Sequence, residues 1–295
     1  MSAFLSANMP YILAGISVGG QYALIAIGYT MVYGILRLIN FAHGDIFMVA
    51  GLVMVYASAS LPLYIAIPIV LIATMVLGFV IERVAYKPLR SAPRMSVMIS
   101  AIGVSYLLQN CALYFTGGLP QVYPAIPFLS KSVTILGATT KMVTLITPVL
   151  TIVLVIVLML LINHTKIGMA MRAVSKDFET SQLMGIKINS VISVTFIIGC
   201  FLAAVGSLLY FSNYTSVIPT SGSMPGLKAF VAAVFGGIGS IPGAVIGAFI
   251  IGICENIIKG VGLTTFSDAF TFVLLIVILL VKPTGIFGEK ATDKV

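Results

Sequence analysis

The sequence predicts an all-α polytopic membrane protein that crosses the bilayer about eight or nine times, one crossing being a broken or re-entrant Gly-rich segment. Three observations predict this. Of the 295 residues, 60 % are hydrophobic and only 8 % charged, with a mean hydropathy of +1.16, far from the composition of an ordinary soluble domain. At least seven apolar runs reach the ~17 to 25 residues that span a hydrocarbon core as helix. The Lys and Arg residues gather in the connectors between those runs. Lipid offers no partner to backbone N–H and C=O groups, so the runs must close on themselves as helices, and the alternating pattern of a membrane β-barrel is absent. The formal net charge of +8 therefore reads as a topology signal and not as a nucleic-acid-binding face; the expected non-protein partner is membrane lipid.

The elements follow in order. The first run, near 10–35, follows a start (MSAFLSANMP) with no basic region ahead of it, and reads as a retained helix, not a cleaved signal. Asn40 to Gly44 then interrupt the apolar pattern, and a second run fills 44–60 with Asp45 at its start, where an acid favours a helix N-terminus. His43 reads either as a hydrogen-bonded structural residue or as a proton carrier or ligand. Runs at 63–82 and 95–116 are separated by a basic connector, 83–94, holding Arg83, Lys87, Arg90 and Arg94. The connector 117–141 has only Lys131 and Lys141, and Pro120, Pro124 and Pro127 predict an extended chain there. A run at 142–162 leads to a second basic connector, 164–187, with Lys166, Arg172, Lys176 and Lys187; runs at 189–210 and 267–282 complete the set. The positive-inside bias puts both basic connectors in the cytoplasm and 117–141 outside.

Parity constrains what remains. Residues 211–225 carry no charge and belong outside, while the tail holds Lys282, Lys290 and Lys294 and belongs inside. Residues 226–258 must then start and finish outside, as a pair of short helices or a re-entrant hairpin; Lys259 opposes this scheme. Gly236, Gly237, Gly239, Pro242 and Gly243 in FGGIGSIPGAVIGA predict a break. Gly239, Gly243 and Gly247 recur every fourth residue, as on one helix face. Those glycines serve helix packing or a solute path, where a broken segment exposes backbone groups.

The chain has no phosphate-binding Gly-x-x-x-x-Gly-Lys-Ser/Thr loop, zinc motif or nucleophile elbow, so no catalytic residue, cofactor or metal is expected. Cys111, Cys200 and Cys254 stand in apolar runs at no ligand spacing. Glu82, Glu255 and Asp268 lie towards span ends, and Glu255 has Lys259 at i+4. A solute path without a visible energy source points to a borrowed one. The polar island RAVSKDFETSQLMG, 172–185, is the place for it: Ser175 or Asp177 can cap a short helix of about ten residues, Asp177 and Glu179 suit its N-terminal end, and Gly185 suits its C′ position. Both signs of charge suggest a docking surface; the alternative is a solvated loop that only fixes topology.

Four stretches carry a resemblance over nearly the whole chain: YALIAIGYTMVYGILRLINFAHGD, GMAMRAVSKDFETSQLMGI, GLKAFVAAVFGGIGSIPGAVIGA and KPTGIFG. Together they resemble the permease subunits of bacterial ATP-binding-cassette importers for branched-chain amino acids, of the LivH type. The resemblance implies one permease domain over 1–295 in the bacterial cytoplasmic (inner) membrane, with a coupling loop at 164–188. Arg172, Ala173, Asp177, Leu183 and Gly185 match the family's coupling pattern, to which the charge reading adds Glu179. Lys176 stands where the family commonly has an acid, and Ser181 where it commonly has alanine. A sister permease subunit, two ATP-binding subunits and an extracytoplasmic solute-binding protein are implied as partners. Asn40, His43, Gly44, Asp45, Gly236, Gly237 and Gly239 are the candidate translocation path. Relatives for urea or amides, or a self-sufficient channel or carrier, are the alternatives.

Overall fold

The computed structural model describes residues 2–90, 92–135 and 138–288, so Lys290 and Lys294 lie outside the described residues. The apolar runs close into α1 (Ser2–Leu36), α2 (His43–Ser60), α3 (Leu63–Ile81), α4 (Arg94–Thr116) and α5 (Met142–His164). Two helices of the polar connector follow, α6 (Lys166–Lys176) and α7 (Phe178–Leu183), then α8 (Ile188–Asn213), α9 (Ser223–Gly236), α10 (Ile241–Gly260) and α11 (Phe266–Val281). Among the described residues, seven helical segments are long and apolar enough to cross a membrane: 8–36, 43–60, 63–89, 95–116, 142–164, 188–213 and 241–260. The chain is thus a multi-pass membrane protein. The remaining apolar helices, α9 and α11, are shorter, at 14 and 16 residues.

α1 and α8 are apolar all round and form the centre, as such helices must. Glycine sets the spacing of α1 against α10. A Cβ on Gly15 would lie 2.8 Å from Ile253 Cα, and one on Gly19 2.8 Å from Phe249 Cα, so the two helices run antiparallel with their backbones in contact. α3, α4 and α5 are peripheral and leave Ile72, Leu107 and Val153 exposed on the face available to lipid.

Three departures from the sequence expectations have local causes. α3 continues through a π turn, Glu82–Tyr86, and a 3-10 turn, Lys87–Leu89, into the basic connector. Buried partners hold it there: Ser193 Oγ donates to Glu82 Oε2 at 2.8 Å, Arg90 pairs with Glu82, and Tyr86 OH donates to Asn40 Oδ1 at 2.7 Å. The connectors also hold short strands. β1 (Gln121–Val122) pairs antiparallel with β4 (Ser216–Val217), and β2 (Ser132–Ile135) with β3 (Ala138–Lys141). The first pair joins the 117–141 connector to the one after α8.

The third departure concerns the Gly-rich segment. Residues 226–258 lie in α9 and α10, and the chain breaks between them, with φ +105° at Gly237 and +102° at Gly239. Ser240 Oγ then caps α10, accepting from Gly243 N at 3.2 Å, with Pro242 in the first turn. The expected face of Gly239, Gly243 and Gly247 is therefore cut: Gly239 precedes the helix and has nothing within 4 Å of an added Cβ. Gly243 abuts Gly236, and a Cβ on Gly247 would lie 2.5 Å from Ala232 O, so these two seat α10 against α9.

Candidate translocation path and docking surface

The break between α1 and α2 is built by a few polar groups. Arg37 turns the chain with φ +53°, and Asn40 Oδ1 accepts from Ala42 N at 3.1 Å as well as from Tyr86. His43, 1 % exposed, lies edge-on to Tyr29 with ring centroids 5.1 Å apart and fills the space beside Gly28. Gly44 lets α9 approach: a Cβ there would lie 2.7 Å from Gly222 O. Asp45, 3 % exposed, accepts from Ser105 Oγ and, at 2.9 Å, from Gln109 Nε2, while Gln109 also reaches Ser223 Oγ at 3.4 Å. Asn40, His43, Gly44 and Asp45 thus gather where α1, α2, α4 and α9 meet.

Gly236, Gly237 and Gly239 stand at the far end of α9, about 20 Å away by helical rise, so the two halves of the expected path are not in contact. Their neighbour is the closing KPTGIFG. Ile286 N donates to Phe235 O at 3.0 Å and Phe287 N to Gly236 O at 2.9 Å, covering carbonyls that a helix end leaves without partners. Gly285, at φ +77°, fits because a Cβ there would lie 2.5 Å from Gly237 Cα. Between the two groups a narrow crevice follows α9, lined by Tyr29, Tyr33, Ile39, Phe230, Ala233 and Ile238.

The polar island is two helices, not one. α6 runs to Lys176, Asp177 is extended, and α7 has six residues instead of about ten. Asp177 caps α7, its Oδ1 accepting from Thr180 N at 3.0 Å, whereas Ser175 donates to Arg172 O and caps nothing. Gly185, at φ +82°, closes α7 in a Schellman arrangement, with Ile186 N on Ser181 O at 3.1 Å and Gly185 N on Gln182 O at 3.0 Å. Arg172 is spent on the loop itself, donating to Asn163 Oδ1 at 3.1 Å and to Asn163 O at 3.3 Å. Ala173 is half-buried, while Glu179 is exposed and Leu183 and Met184 stand 86 % and 79 % exposed. A recess of about 440 Å³ lies beside α7, lined by Arg90, Phe178, Gln182, Ile186, Lys187 and Asn189 with neighbouring residues. Burial lowers the Arg90 guanidinium from its ordinary pKa, and Glu82 offsets part of that.

Residues 11–279 match the family model described as the permease component of the branched-chain amino acid transport system. The chain belongs to this family. It is 39 % identical over 294 residues to the Pseudomonas aeruginosa high-affinity branched-chain amino acid transport system permease protein BraD, covering 95 % of this chain and 96 % of that one. The corresponding LivH proteins of Salmonella typhimurium and Escherichia coli K12 are 41 % and 39 % identical, again over 95 % of this chain and 96 % of theirs. The protein is accordingly a transport permease and not a catalytic chain, and the family implies ATPase and solute-binding partners in general terms.

The permease also has polar residues that the sequence reading passed over. Glu255 pairs with Lys259 as the i+4 spacing predicts, Nζ to Oε1 at 2.6 Å, but Glu255 also binds Lys228 of α9 at 2.7 Å and accepts from Tyr22 OH at 3.1 Å. Lys228 reaches Asp268 of α11 at 2.6 Å as well. One signal was available: Lys228 is the lone charge between Lys187 and Glu255 in the sequence, and a charge inside apolar sequence needs a reason. Ser105 and Gln109, which serve Asp45, had no such signal.

Proposed function

We propose that this chain is the membrane-spanning permease subunit of an ATP-binding-cassette importer for branched-chain amino acids in the bacterial cytoplasmic membrane. A sister permease subunit, two ATP-binding subunits and an extracytoplasmic solute-binding protein complete the complex, and residues 1–295 form one permease domain. Family membership over 11–279 supports the substrate class. One structural observation carries the coupling role: α7 is a helix capped at both ends that presents Glu179 and Leu183 to solvent between two spans. A loop that only fixes topology needs its basic residues and no such helix. Arg172, Ala173, Asp177 and Gly185 shape the docking surface within the segment 164–188, and Glu179 and Leu183 make the contact.

The basic connectors and the tail face the cytoplasm in this reading, with 117–141 outside. Pairing of β1 with β4 and of the tail with the end of α9 supports that parity. The chain then re-enters after 211–225, α9 runs inward from beside the start of α2, α10 returns, and α11 crosses inward, which gives nine membrane helices if the two short ones are counted with the seven long ones. Labelling of Ser175→Cys from outside intact cells, or failure of Ser130→Cys to label there, would reverse the scheme. Asn40, His43, Gly44 and Asp45 line the solute path, and Gly236, Gly237 and Gly239 form its inner end.

Glu179→Lys tests docking. The exchange keeps the loop cytoplasmic by the positive-inside rule while placing the wrong sign against the ATPase. Substrate-stimulated ATP hydrolysis and uptake should fall together, with poor recovery of the ATP-binding subunits on purification. Full uptake with full recovery would remove Glu179 from the interface.

A further inference from the structure

The acids within the apolar helical segments of the permease divide into two kinds. Glu82 pairs with Arg90, Glu255 with Lys228 and Lys259, and Asp268 with Lys228. Among the described residues, Asp45 pairs with no base, and its carboxylate, on a residue 3 % exposed, meets only the neutral donors Ser105 and Gln109. A buried charge inside a membrane span ordinarily has an ionic partner, because neutral hydrogen bonds recover only part of the hydration it has lost. The N-terminus of α2, in whose first turn Asp45 stands, supplies about half a unit of positive charge, and that leaves the carboxylate incompletely neutralised.

The side chains around Asp45 are less buried than Asp45 itself. Ser105, Gln109 and Ser223 come from α4 and α9, and each is half-buried, so only this one layer of partly exposed side chains covers Asp45 where these helices meet. Gly44 and Gly222 bring the backbones of α2 and α9 together beside it. The result is a carboxylate at the broken helix start, with two acceptor oxygens oriented by side chains from a second helix.

We propose that Asp45 is the transit site for the α-ammonium group of the transported amino acid, with Ser105 and Gln109 as the residues that position its carboxylate. This rests on the amino-acid importer reading and gives it a recognising atom. An –NH3+ group supplies the missing positive charge and donates charge-assisted hydrogen bonds to a carboxylate, while a solute without an ammonium group supplies neither. The site need not be tight, since a solute in transit must leave it again.

Two measurements test this on the complete complex reconstituted with its binding protein. In the first, Asp45→Asn keeps the shape and removes the charge. Leucine uptake should fall by about 10- to 100-fold, the factor a hydrogen bond to a charged group is worth, in a complex recovered with all its subunits. Wild-type uptake by this variant overturns the proposal. Failure of Asp45→Asn to assemble, with assembly restored by Asp45→Glu, also overturns it, because the charge would then serve a basic residue of a neighbouring subunit.

The second measurement uses the unaltered complex. An apolar carbodiimide should label the Asp45 carboxyl, read by peptide mass spectrometry. Leucine should protect it, while the matching 2-oxo acid, which lacks the ammonium group, and sodium or potassium chloride should not. Equal protection by the 2-oxo acid, protection by the inorganic cations, or none by leucine overturns the ammonium assignment. If the wild-type complex did not import leucine at all, that would count against the importer reading alone, and the labelling result would still decide the role of Asp45.

Discussion

Lys228 Nζ on α9 stands 2.7 Å from Glu255 Oε1 on α10, with both side chains buried. The same cation reaches Asp268 on α11, and Lys259 shares Glu255, so two bases and two acids neutralise one another across three helices. Lys228→Met leaves two carboxylates against one lysine. Removing one partner of a buried pair costs about 3–5 kcal/mol, reduced here because the Asp268 side chain is 47 % exposed. Thermal unfolding of the purified complex should rank wild type above Lys228→Met/Asp268→Asn, and that double variant above Lys228→Met. A Lys228→Met protein as stable as wild type would show that the network contributes nothing.

Gly44→Ala should damage assembly and uptake, because its Cβ meets Gly222 O at 2.7 Å, backbone against backbone, with no flexible side chain to yield. Gly103→Ala is the matched control on an exposed face of α4, where nothing lies within 4 Å. It should be neutral or stabilising by up to about 1 kcal/mol, the difference in helix propensity. Membrane abundance and uptake, measured side by side, check both.

The two left-handed glycines of the break should differ in the same way. Gly239→Ala meets open space and pays only for a backbone conformation that L residues avoid, on the order of 1–2 kcal/mol. Gly237→Ala meets that strain and the backbone of Gly288 as well, and should displace the closing strap from α9. Protease sensitivity of the C-terminal segment should therefore rise in Gly237→Ala more than in Gly239→Ala. Equal sensitivity would mean that the strap does not depend on close approach at Gly237.

At α7, Asp177→Ala should lose the cap on Thr180 N and destabilise the helix by about 0.5–2 kcal/mol, whereas Asp177→Asn, which can still accept, should lose little. Amide exchange at Thr180 reads this directly. It should speed up in the Ala variant and change little in the Asn variant. Similar exchange in both would assign the order of α7 to its packing against α8.

Much of this was legible along the chain because it rests on local free energies. Transfer of about 20 apolar residues into lipid marks a span whatever lies beside it, and the bias of Lys and Arg orders the connectors. Asp177 and Gly185 were readable as helix ends because a cap depends on three or four neighbouring residues. Even so, where α6 gives way to α7 escaped the sequence, since it turns on the extended conformation of Asp177.

What only the tertiary structure decided are the meetings of residues far apart in the chain. Gln109 is 64 residues from Asp45, Ser193 is 111 from Glu82, and Lys228 is 27 from Glu255. Hydropathy assigns each of these side chains to a helix and says nothing of which face it occupies or what packs there. The glycines show the same division: their spacing suggested one continuous face, but Ser240 starts α10 after Gly239, so Gly243 and Gly247 seat a helix while Gly239 turns the chain ahead of it. Composition and charge determined that this chain is a polytopic membrane protein, because every residue adds to that total independently of its neighbours. The packing of α9 between α2, α10 and the closing strap determined that Glu255 and Asp268 share Lys228, because charge compensation depends on distances between helices that no local pattern encodes.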